Sequence, residues 1–298
     1  MKIKEFIDRH ERVKVIWEAL QKNSDEQFRK RVLGTDCLNI SVMENTNIDR
    51  KTGKSGILYQ IEMGTWGDGF FAEYKKLLNY LYFADFFQWK PCVHFSNQFT
   101  YAEDHPINGT ENPFEYFFEP IVKMDDANEY RYYVNSREVD WEFANRLKPV
   151  NGYDISEEYI QAMSEINQKY IKFNDITLRY LQSTDDLLGK NKVLGVHVRL
   201  TDFKQNFLGH PVCITAEEHL KYAVDAVKKY GFNKIFLATD DVSTVDLFRK
   251  EFGKNLLYYE DVTRSSGDVS VAFSDNVREN HHYKLALEVI RDMYLSLI

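Results

Sequence analysis

The second half of the chain alternates between two kinds of apolar spacing. Strand-like apolar runs begin at residue 192 with KVLGVHVRL, at 234 with KIFLATDD and at 255 with NLLYYED. Between them lie two segments with helical spacing, AEEHLKYAVDAVKKY and STVDLFRKEF, each followed by a glycine. An order of strand, helix, strand, helix and strand predicts half of a doubly wound parallel sheet.

The first half contains a shorter unit of the same kind. ILYQIEM, beginning at residue 57, has the apolar and β-branched character of a strand, and a turn with Gly64, Gly67 and Gly69 follows it. Helical apolar spacing then runs to Phe86, and KPCVHF is a second strand. This order of elements predicts another α/β unit.

Helical segments flank this unit on both sides. Two short amphipathic helices are predicted over 9–33, and a capping box of Asp154 and Glu157 predicts a long helix that ends at Gly189. We therefore expect two α/β halves that meet between 186 and 192. The predicted organisation is a helical segment over 1–38, an N-terminal α/β domain over 39–190 and a C-terminal Rossmann-like domain over 191–298.

Composition is typical of a globular protein and argues against some classes of binding partner. Of 298 residues, 44% are apolar and 28% are charged, which suits a folded chain. The formal net charge is −8 and basic residues form no run with interleaved aromatics, so nucleic acid is not expected as a partner. Because no stretch of about 18 apolar residues occurs and the N-terminus is charged throughout, we expect a cytoplasmic protein without a membrane span.

The cysteines predict neither a disulfide framework nor a metal site. Cys37, Cys92 and Cys213 are odd in number, far apart and without a C-x-x-C pair or a histidine at ligand spacing. We therefore expect reduced thiols and no zinc.

The strand LGVHVRL carries the first candidate chemistry. Because side chains alternate along a strand, His197 and Arg199 face one side while Leu200 faces the other, with apolar neighbours. Ligands of open α/β sheets bind at the carboxyl ends of strands, where a buried guanidinium suits a phosphate or carboxylate. Two interpretations stay open here: Arg199 binds an anionic ligand, or it forms an internal ion pair with Asp202 or Asp240.

Asp240 and Asp241 end the next strand, at the same edge of the predicted sheet. A carboxylate there accepts hydrogen bonds from a sugar or nucleotide, or it caps the following helix, and capping explains only one of the two. A metal at this pair is not expected. The glycine turn at 64–69 allows close approach of an anion to the helix behind it, and an ordinary strand-to-helix turn is the alternative.

Three stretches, GVHVRLTDF, KIFLATDD and NHHYKLALEVIRDMYL, resemble in order and spacing the fucosyltransferases of the α1,6 and nodulation type. The first motif of that family is His-x-Arg-Arg-Thr/Gly-Asp. The segment GTWGDGFFAEYKKLLNYLYFADFFQWKPCVHF resembles the family's N-terminal glycine turn, helix and strand. The resemblance covers about residues 57–95 and 190–295.

The resemblance implies a GT-B architecture, with two Rossmann-like domains facing a cleft. It makes the domain over 39–190 the acceptor side and the domain over 191–298 the nucleotide-sugar domain. It implies an enzyme that transfers fucose from GDP-fucose to a glycan hydroxyl with inversion, without a metal or any cofactor beyond the donor. By the same resemblance, Arg199 holds the donor's β-phosphate, His197 lies at the nucleotide and Asp292 recognises guanine. Asp240 and Asp241 are then needed in the donor site.

The chain departs from the family's pattern in three places. Leu200 replaces the second arginine of the motif, and the acidic base that the α1,6 enzymes carry a few positions later is absent. Asp202 is the first choice for a base and Glu73 the second. The sequence ends before the family's last strand and phosphate loop, so the C-terminal domain is expected to be truncated. The alternatives are a GT-B transferase for another nucleotide sugar and an inactive homologue that binds glycan or nucleotide.

Overall fold

The computed structural model describes residues 41–49, 53–65, 67–136, 147, 155–182, 188–201, 214–267, 269–273 and 278–296. These residues form two compact units. The first holds the described residues up to Phe99 and those from Thr110 to Lys172, and the second holds Thr100–Gly109 and the described residues from Phe173 onward. The second unit thus begins ahead of the boundary expected between 186 and 192. The helices expected over 9–33 lie outside the described residues.

The first unit is built on a four-stranded mixed sheet. Its strands and helices are β1 (Met43–Glu44), β2 (Lys54–Met63), α1 (Phe70–Phe86), β3 (Lys90–Phe95), α2 (Met124–Ala127), β4 (Tyr130–Asn135) and α3 (Glu157–Tyr170). The strand order is β1-β4-β2-β3, in which β2 is parallel to both neighbours and β1 is antiparallel to β4. The predicted strand, glycine turn, helix and strand are therefore present, as β2, α1 and β3.

Aromatic side chains fill the core of this unit. Tyr59 of β2 packs on Phe83 of α1, with ring centroids 5.5 Å apart, and both side chains are fully buried. The stretch between 97 and 150, whose elements the sequence left open, supplies Phe114 and Phe117 to the same core. Phe117 meets Phe70 edge to face at 5.7 Å, a geometry that aromatic pairs favour.

The second unit is a three-layer α/β structure. Its elements are α4 (Asp175–Gln182), β5 (Val193–Val198), α5 (Ala216–Tyr230), β6 (Lys234–Thr239), α6 (Val242–Phe252), β7 (Leu256–Leu257) and α7 (His281–Ser296). The strands are parallel in the order β5-β6-β7. On one face Val198 and Leu237 pack with α5 and α6, and on the other Phe236 packs with Tyr294 of α7. The prediction of an α/β fold with two Rossmann-like halves is confirmed.

Local capping explains where α5 begins and ends. Thr215 accepts from the Glu218 backbone N–H at 3.2 Å, and the Glu218 carboxylate accepts from the Thr215 N–H at 3.1 Å, which is the predicted capping box. Gly231 closes the helix with a φ of 68°, in the left-handed region that favours glycine. None of the described helices is long and apolar enough to cross a bilayer.

The prediction of one long helix between Asp154 and Gly189 is wrong, because this stretch contains two separate helices, α3 and α4. Ser156 caps α3 by accepting from the Tyr159 N–H at 3.1 Å, while Asp154 lies outside the described residues. Ile171 is extended, and the Asn174 side chain accepts from the backbone of α4 at 2.9 Å. A new cap inside a helical apolar pattern ends one helix and starts another, and the break coincides with the division between the two units.

The glycine turn after β2 yields a stability prediction. Gly64 has a φ of 112°, and a Cβ there would lie 2.8 Å from the Ser96 Oγ and 3.1 Å from the Ser96 backbone nitrogen. Gly67 has a φ of 92° but faces open space. We expect Gly64→Ala to lower the free energy of unfolding by about 2–5 kcal/mol, since it adds a clash to backbone strain, and Gly67→Ala by about 1–2 kcal/mol.

Urea denaturation of the two variants beside the wild-type protein measures the difference. Gly67→Ala is the matched control, because it carries the left-handed strain without the contact to Ser96. Equal destabilisation by the two substitutions would contradict the close approach between Gly64 and Ser96.

Candidate functional site

The end of β5 presents two cationic residue types on one side of the second sheet. His197 and Arg199 are exposed, whereas Val198 and Leu200 on the other side are 0% and 5% exposed and belong to the core under α5 and α6. The predicted alternation of faces is therefore present. The sequence suggested a buried arginine; the structure has an exposed one, because β5 is the outer strand of the described sheet β5-β6-β7.

The position of Leu200 explains why a second arginine is absent there. Its side chain points into the apolar core that Val198, Leu237 and Phe248 share. A guanidinium at position 200 would lose its hydration without gaining an anion, at a cost of several kcal/mol. The backbone course at this strand end therefore suits one exposed arginine, Arg199, followed by an apolar residue.

Asp240 ties the end of β6 to the end of β5. Its Oδ1 accepts a hydrogen bond from the Leu200 backbone N–H at 3.0 Å, and its Oδ2 accepts one from the Thr201 hydroxyl at 2.6 Å. Thr201 is fully buried. Because these bonds hold the two residues that follow Arg199, the Asp240 carboxylate fixes the backbone that carries the guanidinium. Asp202, the first choice for a base, lies outside the described residues.

Asp241, the neighbour of Asp240 in sequence, caps a helix, whereas Asp240 contacts the end of β5. It is 3% exposed and caps α6, where its Oδ2 accepts from the Thr244 N–H and the Thr244 hydroxyl, both at 2.8 Å. The same oxygen accepts from the Ser243 hydroxyl. Ser265 bonds to the backbone on either side of Asp241, through Val242 and Asp240. Helix capping thus accounts for one acid of the pair, as the sequence allowed.

The surroundings of His197 favour its neutral form. Surrounding protein atoms partly desolvate the imidazole, although its outer surface stays exposed, and this lowers the pKa of His197; Asp240 acts in the opposite direction and Arg199 adds to the lowering. A neutral imidazole offers one donor and one acceptor beside the Arg199 guanidinium. At this edge of the sheet, Arg199 can therefore bind a phosphate, and His197 can form a hydrogen bond with a neighbouring sugar or base.

Asp292 on α7 lies in a partly buried cluster of charges that sequence reasoning missed. Burial raises the pKa of Asp292 to about 7, while Arg291 and Arg264 oppose the rise and Glu288 and Asp261 add to it. Arg291 is 3% exposed and binds Asp261 through two hydrogen bonds of 3.0 and 2.8 Å. Spacing along α7 places Glu288, Arg291 and Asp292 within one turn, but no sequence signal links them to Asp261 or Arg264.

Aromatic rings contact Arg291, one of the two arginines of this cluster. The Arg291 guanidinium lies 3.6 Å from the centre of the Tyr259 ring and 5.1 Å from that of Tyr180. The Tyr259 carbonyl accepts from Arg264 at 2.8 Å. Stacked and bidentate guanidinium groups lose little freedom on binding, so these contacts favour one orientation of the Arg291 side chain.

The glycine turn of the first unit is held from inside. Gly64 and Gly67 are left-handed, whereas Gly69 has an ordinary φ of −69° and begins α1. Glu73 is 1% exposed, accepts from the Gly64 N–H at 3.3 Å and pairs with Lys76 at 2.8 Å. Burial raises the pKa of Glu73. These bonds make Glu73 a support for the turn, and its role as the second-choice base stays a prediction.

At the N-termini of α5, α6 and α7, side-chain oxygens of this protein already accept hydrogen bonds from backbone N–H groups. Thr215 caps α5, Asp241 caps α6, and the Glu103 carboxylate accepts from the Tyr283 N–H of α7 at 2.9 Å. Helix ends engaged in this way have fewer N–H groups to offer an anion. The Arg199 guanidinium is then the principal cation that β5 brings to the carboxyl edge of the sheet.

The described residues contain no cluster of side chains suited to binding a metal ion. Within those residues, no three side chains of His, Cys, Asp or Glu are grouped so that they could hold an ion. Cys92 is buried, and burial followed by the charge of Glu115 raises the pKa of its thiol to about 11. Cys37 and Cys213 lie outside the described residues.

Comparison with known proteins gives similarity at the level of structure only. No protein-family model matches the chain. No curated protein sequence matches it either. Among solved structures, it is similar to the NodZ α-1,6-fucosyltransferase co-crystallised with GDP, at 15% identity over 81% of this chain and 85% of that chain, with a TM-score of 0.44.

Two further solved structures are similar to a comparable or smaller degree. The fucosyltransferase NodZ from Bradyrhizobium is 14% identical over 81% of this chain and 85% of that chain, with a TM-score of 0.43. POFUT1 in complex with GDP-fucose is 14% identical over 71% of this chain and 86% of that chain, with a TM-score of 0.36. The α/β fold assigned above rests on the strand order and connections of this chain itself.

The charge cluster on α7 predicts a pH dependence of stability. An acid whose pKa is higher in the folded chain than in the unfolded chain holds its proton more tightly when folded. The resulting stability is complete below about pH 4 and is lost as the pH rises towards the folded value of about 7. Asn at position 292 cannot ionise. Between about pH 4 and pH 7 we therefore expect the free energy of unfolding of wild type to fall relative to that of Asp292→Asn.

Chemical denaturation at several pH values measures this difference, and the carboxyl carbon signal of Asp292 in NMR reports its titration directly. A titration midpoint below about pH 5 would show that the neighbouring arginines outweigh burial.

Proposed function

We propose that this protein is a glycosyltransferase that moves fucose from GDP-fucose to a hydroxyl group of a glycan, with inversion and without a metal. The observation that supports the proposal is the exposed Arg199 at the carboxyl end of β5. Hydrogen bonds from Leu200 and Thr201 to Asp240 fix the backbone that follows it. A guanidinium placed there suits the diphosphate of a sugar nucleotide.

The reaction makes one bond and breaks another at C1 of fucose. The acceptor oxygen bonds to C1 from one face while the bond from C1 to the β-phosphate oxygen breaks on the other. The bonding electrons leave with GDP, and the acceptor proton passes to a base. Arg199 contributes by stabilising the negative charge that grows on the β-phosphate, a type of interaction that often supplies the largest part of catalysis.

The other site residues take supporting roles in the same proposal. His197 accepts or donates one hydrogen bond at the nucleotide, and ionised Asp292 accepts from the N1 and N2 protons of guanine. Gly64, Gly67 and Gly69 provide the turn at the start of α1. Asp202 is the candidate base. Asp240 positions Arg199 through the backbone, and Asp241 maintains the helix that follows β6.

Leu200 favours a second candidate function, an inactive homologue that binds nucleotide or glycan without transfer. The core position of Leu200 leaves one guanidinium where the family pattern has two. A transferase for another nucleotide sugar is the remaining alternative, because phosphate chemistry is common to such folds. Calorimetric titration with GDP, UDP and ADP separates the nucleotides, and release of GDP from GDP-fucose separates an enzyme from a binding protein.

Arg199 provides the decisive substitutions. We expect Arg199→Ala to lower the transfer rate by about 10²–10³-fold, since the loss of one preorganised charge costs about 3–4 kcal/mol in the transition state. Arg199→Lys keeps the charge but loses the two-pronged geometry, so its activity should fall between those of Arg199→Ala and wild type.

Arg249→Lys, on the solvent side of α6, is the control for loss of a guanidinium elsewhere in the unit; Arg249 pairs with the exposed Asp246 and donates to the Tyr258 hydroxyl. Activity of Arg199→Ala within tenfold of wild type would reject the role of Arg199. Tighter binding of UDP or ADP than of GDP would reject the guanine assignment.

A double-mutant cycle tests whether Asp240 acts by positioning. If Asp240 works through the Thr201 hydroxyl, Asp240→Ala and Thr201→Val should each weaken GDP binding, and the double variant should be little weaker than Asp240→Ala alone. The coupling expected for residues in direct contact is about 0.5–3 kcal/mol. Contact between Asp240 and the nucleotide would instead make the two effects additive.

Gly231→Ala is the matched control for this cycle. It strains the left-handed end of α5 at the opposite edge of the sheet and faces open space, so it lowers stability without touching β5. Calorimetry with GDP should give it the wild-type affinity.

A further inference from the structure

The central strand of the first unit carries polar side chains where apolar ones are the rule. β2 lies between β4 and β3 and is parallel to both. Strands in that position are normally covered on both faces and read as continuous apolar runs. In LYQIEM, however, Gln60 and Glu62 interrupt the run on one face, while Tyr59, Ile61 and Met63 on the other face are buried.

The register of the neighbouring strands places two more polar residues on the face of Gln60 and Glu62. His94 of β3 pairs with Glu62, and Asn135 of β4 pairs with Gln60. Paired residues of parallel strands point to the same side of a sheet. All four side chains are half-buried. We name these four residues, Gln60, Glu62, His94 and Asn135, the polar patch.

Apolar packing on this face ends where the polar patch begins. Leu58 of β2 and Cys92 of β3 are 1% and 2% exposed and pack with Ala127 of α2 and with Val122. They lie one side-chain step before Gln60 and His94 along their strands. The amino-terminal half of the face is therefore closed, and the carboxyl-terminal half is polar and partly open.

The backbone around the polar patch is held firmly. The buried Ser136 accepts from the Glu62 N–H at 3.0 Å. On the outer side of β3, the Asn112 side chain accepts from the Phe95 N–H and donates to the Val93 carbonyl, both at 2.9 Å. These bonds lie on both sides of His94, so the patch residues stand on fixed strands, as precise recognition requires.

The chain topology makes this end of the sheet a favoured place for a ligand. From β2 the chain crosses to β3 on one side, and it later returns to form β4 on the other side. Crossings in opposite directions open a crevice at the carboxyl ends of the strands between them, which is where open α/β sheets bind ligands. Gln60, Asn135 and Glu62 lie at this end of β2 and β4.

We propose that the polar patch binds the hydroxyl groups of a saccharide. Two carboxamides both donate and accept, an imidazole does either, and a carboxylate accepts, which matches hydroxyl groups that do both. The patch contains a carboxylate and no lysine or arginine, so its chemistry disfavours a phosphate. Its one acid and one histidine are too few for a metal site. That this saccharide is the acceptor rests on the proposed fucosyl transfer; saccharide binding itself does not.

The experiment uses the full chain and two independent titrations. A glycan microarray identifies a binding oligosaccharide, and calorimetry then measures its affinity for wild type, His94→Ala, Asn135→Ala and Lys90→Ala. Lys90 is exposed on the same face of β3 and is the matched control. We expect each patch variant to weaken saccharide binding by about tenfold or more, with Lys90→Ala within twofold of wild type. GDP affinity should be unchanged in all three variants.

Glu62→Gln keeps the size of the side chain and removes its charge, so it should weaken binding less than His94→Ala. Should a variant unfold, the imidazole signal of His94 in wild type provides the second test, because a saccharide in the patch must shift it in NMR. The inference is overturned if no oligosaccharide on the array binds, if the patch variants bind as wild type does, or if the His94 signal stays in place. Saccharide binding through the patch without GDP binding would uphold it and reject the proposed donor.

Discussion

The hydrogen bonds from Asp240 to the end of β5 are the constraint on which the candidate site depends. A guanidinium on a flexible strand end is a weak and poorly directed anion binder, because ordering it costs entropy on binding. Here one carboxylate from β6 holds both the Leu200 N–H and the Thr201 hydroxyl. The Arg199 backbone is consequently fixed before a ligand arrives, and the alternation along β5 then directs its side chain away from the core.

Both sheets divide their faces in the same way. In the second unit, one side of β5 packs under α5 and α6 while the other carries His197 and Arg199. In the first unit, β2 packs Tyr59 against Phe83 of α1 and bears Gln60 and Glu62 on its other face. The charges differ, however. The end of β5 offers a cation, which suits a phosphate, whereas the polar patch offers amides and a carboxylate, which suit neutral hydroxyl groups.

Local patterns in the sequence were enough to predict most elements and the faces of β5. The period of two along LGVHVRL, the capping box of Thr215 and Glu218, and the glycine turn before α1 each act within a few residues. The break between α3 and α4 was missed, since a helical apolar pattern runs through both segments and the Asn174 cap that starts α4 competes with it. The separate tasks of Asp240 and Asp241 depend on which oxygen meets which backbone group, and adjacent acids look alike in sequence.

Contacts between residues far apart in sequence account for the rest. Asn135 pairs with Gln60 only because β4 returns to the open side of β2, a register that neither strand encodes alone. The same holds for the cluster on α7. Glu288 is buried and Asp292 is half-buried beside Arg264 and Arg291, whose charges offset part of the cost of burial, and burial still raises the pKa of Asp292 to about 7. Two hydrogen bonds donated by a guanine to ionised Asp292 would offset that cost, so the raised pKa and the proposed role of Asp292 have one physical origin.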